Sequence, residues 1–187
     1  MNIKEIIQMI KNAIESTFQE IDKWFEKSEQ LRSYSPQDKG WTINEILEHI
    51  SLTNHFLLIL INKGTKKAIE IARKGNANIE LSDYKFGSEK LDEIAIYNSF
   101  NWINPEHMEP TGEKALLEIR TLLKSQVNQC LTNLEEMANG EGTLYKTMMT
   151  VNSLGKIDVY HYIYFLAQHA KRHIAQMENV EKEYIKL

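Results

Sequence analysis

Residues Phe165–Met177 read FLAQHAKRHIAQM, a stretch without Gly or Pro in which His169 and His173 stand four apart. On a helix that spacing projects both imidazoles from one face. At about 100° per residue, Val159, Ile163, Leu166, Ala170, Ile174 and Met177 make the apolar stripe of this helix. His169 and His173 lie on one flank of it, whereas His161, Gln168, Lys171 and Arg172 are expected on the other side or in water. Two imidazolium ions held side by side would repel, so the pair is expected to be neutral and to share a partner. A divalent metal suits them, since neutral imidazole is a strong ligand and an i, i+4 pair can chelate one ion. Two ligands hold a metal poorly, and a third donor is expected elsewhere in the chain.

Working upstream, Asp158 reads as the N-cap of this last helix, after a connector containing Met148, Met149 and Gly155. A third helix is predicted over about Glu113–Ala138, with Leu116, Leu123, Val127, Leu131 and Leu134 inward and Asn139-Gly140 as its stop. Between Gly75 and Gly112 no period is sustained. A connection of that length often serves function, and Tyr97, Phe100 and Trp102 suggest that it packs over the rest as a lid. Within it, LDEIAIYNSF suits a short helix. A second helix starts after Trp41, where TINE forms a capping box between Thr42 and Glu45. It carries Ile43, Leu47, Ile50, Leu57 and Ile61 as its stripe and ends near Gly75. His49 falls on the flank of that stripe, beside Ile46 and Thr53, while His55 points the opposite way. The first helix, about Asn2–Lys27, repeats Ile3, Ile6, Ile7, Ile10, Ile14, Phe18, Ile21 and Phe25 at threes and fours. Pro36 and Gly40 break the pattern after it. The expected fold is therefore all-α: an up-and-down-type four-helix bundle with a long crossover between helices 2 and 3, forming a single domain over 1–187. Strand patterns are essentially absent.

The bulk properties agree with such a domain. The chain has 187 residues, 42% hydrophobic and 26% charged, enough for one sizeable core. Its net charge of −4, with no Lys/Arg run, argues against a nucleic-acid surface. The single Cys130 excludes an internal disulfide and fits a reducing compartment. Charges every few residues in MNIKEIIQMIKNAIESTF argue against a signal peptide or a membrane span, so a cytoplasmic location is expected.

Trp41–His49 (WTINEILEH), Asn152–Asp158 (NSLGKID) and FLAQHAKRHIAQM, in this order and spacing, resemble the DinB/YfiT-like family. That resemblance implies a four-helix bundle in which a helix-2 histidine joins a helix-4 histidine pair on one divalent metal. Carried over, the ligands are His49, His169 and His173. The Arg172-to-Gln176 ending is also typical, whereas Asn152 stands where the nearest subgroup often has a histidine that is not counted as a ligand. The family includes thiol-dependent S-transferases that use bacillithiol or mycothiol, and a thiol-dependent isomerase. It thus implies a small-molecule substrate, with a low-molecular-weight thiol as one candidate.

Three neutral histidines would leave an open coordination position, as catalytic sites do. A water there would be acidified and a thiol deprotonated, so S-transfer and hydrolysis are both open. An all-nitrogen set suits Zn, Ni, Fe or Mn. HAKRH lacks the glutamate of HExxH proteases, which argues against that mechanism. The competing reading is a non-catalytic bundle that keeps the metal for stability or binds a ligand or partner subunit. Bundles of this kind often pair as homodimers. Glu45 is read as completing the capping box rather than as an acid/base. Gln176 either hydrogen-bonds near the site or faces solvent, and Arg172 is expected at the surface or in a dimer contact. His55, His107 and His161 are expected to be exposed, Cys130 to be a core residue, and Met148 and Met149 to pack.

Overall fold

A computed structural model describes residues 1–37, 39–75, 81–100 and 105–186. Trp102, expected to anchor the crossover, lies outside them. Among the described residues the chain is mostly helical, with one small two-stranded sheet. Four long helices dominate: α1 (Ile3–Trp24), α3 (Ile43–Lys74), α5 (Leu116–Glu136) and α6 (Val159–Tyr184). Short helices α2 (Glu29–Arg32) and α4 (Glu89–Asp92) lie in the first two connections. Helix α1 packs on α5 and α6, and α3 packs on the same two. No described helix is long and apolar enough to cross a membrane.

Three of the four long helices, α1, α3 and α6, begin where a side chain satisfies a free amide of the first turn. Asn2 and Glu5 form a capping box on α1, as Thr42 and Glu45 do on α3. Asp158 caps α6 by accepting the His161 amide at 3.2 Å. Gly75 closes α3 at the expected place. The main stripes predicted for α1 and α3 are buried, with Ile6, Ile10, Ile14 and Ile21 of α1 in one core with Ile43, Leu47, Ile50 and Ile61 of α3. In α5, by contrast, Leu116, Val127 and Leu131 are only half-buried, and Ile119 and Cys130 lie inside.

Three expectations need correction. The connector before α6 is a hairpin, β1 (Lys146–Met149) antiparallel to β2 (Gly155–Asp158), with Lys146 opposite Asp158. Strands of four residues are too short to display an alternating pattern, and the reversal depends on Asn152 and Ser153 at positive φ. Met149 packs inward, but Met148 is exposed.

The second correction concerns α6, which is buried on nearly every side from Val159 to His173 rather than along one stripe. The crossover covers the face expected to be wet. Leu91 and Ile94, both fully buried, lie in α4 and the 3₁₀ turn after it, which pack against α6. Each such side chain contributes about 1.5–3 kcal/mol. Asp92 accepts hydrogen bonds from Tyr164 Oη at 2.7 Å and Gln168 Nε2 at 3.0 Å. Gln168 and Arg172 are therefore interior residues, because a polar side chain is stable inside when the crossover offers it a partner.

Third, His161 is not a surface residue. Its ring stacks on Phe86 at 4.3 Å, and Nδ1 lies 2.7 Å from Asp158 Oδ1. His55 and His107 are exposed as expected, and Cys130 is a buried thiol whose pKa is pushed up to about 12 by burial.

The 3₁₀ turn after α5 meets the start of α6 at a close approach. A Cβ on Gly142 would come within 2.7 Å of the Tyr160 ring, which is fully buried and donates from its hydroxyl to the Met137 carbonyl. Gly142→Ala should therefore cost about 1–3 kcal/mol by overpacking, read as a lower midpoint in denaturant unfolding. An unchanged midpoint would show that the ring can shift.

Candidate metal centre

His49 sits in the second turn of α3, and His169 and His173 sit one turn apart in the middle of α6. All three are buried, at 1%, 0% and 6% exposure. Their ring centroids are 5.3 Å (His49–His169), 4.8 Å (His49–His173) and 4.5 Å (His169–His173) apart. One ligand nitrogen from each lies within 4.8 Å of the others. The Nε2 atoms of His169 and His173 are 3.1 Å apart. Two nitrogens bound to one tetrahedral ion at about 2.0–2.1 Å would lie roughly 3.3 Å apart, so this pair is already near chelating distance.

Neighbouring groups choose the tautomers. His49 Nδ1 lies 2.7 Å from the Met108 carbonyl, which can only accept, so Nδ1 carries the proton and Nε2 keeps its lone pair. That Nε2 is buried and has no hydrogen-bond partner among the described residues. His173 Nδ1 likewise donates to Gln176 Oε1 at 2.8 Å, leaving its Nε2 as the donor atom facing His169. Gln176 thus works at the site, resolving what the helical count left open. Trp41 packs over His49 at 4.7 Å between centroids, and Phe165 stacks on His169 at 6.1 Å. These walls keep the rings dry and in place.

Burial lowers the pKa of all three histidines. It is reinforced at His169 by His173 and His49, and His173 is lowered to about 3 by burial and then by His49. The cluster is neutral at ordinary pH. Neutral imidazoles, two of them with the Nε2 lone pair free of its proton, suit a divalent cation, and an orphaned buried Nε2 at His49 is what its absence would leave. The donor set fits a metal.

Two contributors went unnoticed in the sequence. The Met108 carbonyl is a backbone group in the irregular crossover, and no side-chain pattern could reveal it. Glu48 is only 2% exposed and accepts from Thr111 Oγ1 at 3.0 Å and the Gly112 amide at 2.8 Å. Its carboxylate ties down the strap that carries Met108, and the sequence shows only a Glu beside His49, whose burial depends on the strap laid over it. Glu48→Ala should leave these donors without their acceptor and cost about 2–3 kcal/mol. Hydrogen exchange should then rise selectively over residues 105–112. Protection equal to wild type would mean that the strap is held by other contacts.

These features define a class: a helical protein in which two long helices bring three neutral, buried histidines together in a cluster able to hold a metal ion. The chain belongs to the DinB superfamily, whose family model matches residues 13–177. No curated protein and no solved structure matches the chain.

Proposed function

We propose that this protein is a DinB-type four-helix bundle in which His49, His169 and His173 hold one divalent cation for chemistry on a small molecule. The reaction class we infer is activation of a thiol or a water, with S-transferase-like transfer as the leading case. The observation that carries the reading is the bare His49 Nε2, buried within a histidine cluster while Nδ1 is committed to Met108. A divalent ion held by these three neutral imidazoles would supply Lewis acidity and would lower the pKa of a thiol or water beside it. The chain's own residues do the rest. Met108 and Gln176 hold the ring tautomers, and Trp41 and Phe165 exclude water from the ring faces. A cavity of about 260 Å³ lined by Trp41, His173 and Gln176 offers a small molecule a way in, which favours an enzyme over a sealed, metal-stabilised module.

Elemental analysis of untagged protein tests the first half, with one metal per chain expected. Assays of the zinc-, nickel-, iron- or manganese-loaded protein with bacillithiol and model electrophiles test the second. Failure of all four metals to bind would end the reading, and binding without turnover would leave the non-catalytic module.

A further inference from the structure

The cavity beside His173 has a charge character that the chain as a whole does not. We propose that it is an anion pocket, in which Arg172 and Lys39 recognise a carboxylate or phosphate on the small molecule; this deepens the functional reading and relies on it for the pocket's role. The described lining residues include these two cations and no Asp or Glu, although the net charge of the protein is −4. Two cations brought from different parts of the chain to one concave site raise the local concentration of anions there.

Arg172 is only 7% exposed, and its position next to His173 on α6 places it at the cavity. Its Nη1 donates to the Ile96 carbonyl at 2.9 Å, and the guanidinium carbon sits 5.4 Å from the Tyr97 ring and 5.7 Å from the Phe100 ring. The crossover therefore restrains a planar fork whose geometry matches a carboxylate or phosphate, and a restrained fork loses little rotamer entropy on binding. Lys39 comes from the segment before α3 and so approaches from a different part of the chain. Trp41 and Tyr97 supply aromatic walls, and a volume of about 260 Å³ suits a body of a few carbons. The site thus takes a short molecule with one anionic end, lying beside the histidine cluster.

Calorimetric titration at fixed ionic strength tests this on the full-length metal-free protein, with succinate, inorganic phosphate and the neutral analogue succinamide as probes. At least one anion should bind tenfold or more tighter than succinamide, and the stronger of the two identifies carboxylate or phosphate as the recognised group. Arg172→Met should weaken it about tenfold or more. Arg172→Lys, which keeps the charge without the fork, and Lys39→Gln on the exposed segment should each weaken it about threefold or more. Circular dichroism and zinc stoichiometry establish that each variant is folded. The inference is overturned if neither anion outbinds succinamide, or if Arg172→Lys and Lys39→Gln both bind as wild type does. Zinc binding without anion binding sinks this inference alone. Anion binding by a protein that takes no metal sinks the metal reading and leaves the pocket.

Discussion

His169→Ala is expected to lower zinc affinity by roughly a thousandfold or more, because loss of an outer hydrogen-bond partner alone typically costs 10–100-fold and this change removes a proposed ligand. His169 is the fully buried member of the cluster and lies between Phe165 and His173. No water can replace it without entering a packed interior. Gln176→Ala provides the graded control. It leaves three imidazoles in place but frees the His173 ring from its 2.8 Å partner, so affinity should fall about 10–100-fold. Competition against a zinc indicator measures both. Equal affinities in wild type and His169→Ala would mean that the ion sits elsewhere.

Metal-free protein should lose stability steeply on mild acidification. Each site histidine has a folded pKa below its unfolded value of about 6.5. Below that pH the unfolded chain holds protons that the folded chain does not, so unfolding takes up protons and stability falls as pH falls. Each histidine contributes up to about 1.4 kcal/mol per pH unit. For His173 this continues until its folded pKa of about 3 is reached. His169 and His173 together amount to about 2.5 kcal/mol between pH 7 and pH 5.5, and His49 adds to this in the same direction, a large share of the 5–15 kcal/mol typical of a domain. Asp22, lowered by its hydrogen bond to Arg120, contributes stability that is lost only below about pH 4. Urea unfolding of stripped protein at pH 7, 6 and 5.5 reads the slope directly, and His169→Asn should flatten it by about a third to a half. A flat profile would show that the imidazoles are hydrated rather than buried.

The helical skeleton was legible because its causes are local. Capping boxes at Asn2 and Thr42 mark helix starts, and the isoleucines of α1 repeat at helical spacing whatever lies opposite. The i, i+4 relation of His169 and His173 is likewise a property of one helix. The resemblance, not the periodicity, nominated His49 as their companion, and the fold places it there. Arg172 and Gln168 were misread for a complementary reason. A helical count measures angle around one axis, whereas burial depends on what is laid against each angle. Here the crossover, which has no period to read, covers the polar side of α6.

The chain's own pattern thus determined four long helices and a histidine pair on a common flank, since helix formation and side-chain direction depend on neighbours within one turn. Only the tertiary structure decided that His49 meets that pair, that Met108 and Gln176 select the tautomers, and that Arg172 lies inside beside His173. Those contacts join residues as far apart as 49 and 173. Their energies arise from desolvation and hydrogen bonding, which exist only once the helices have packed.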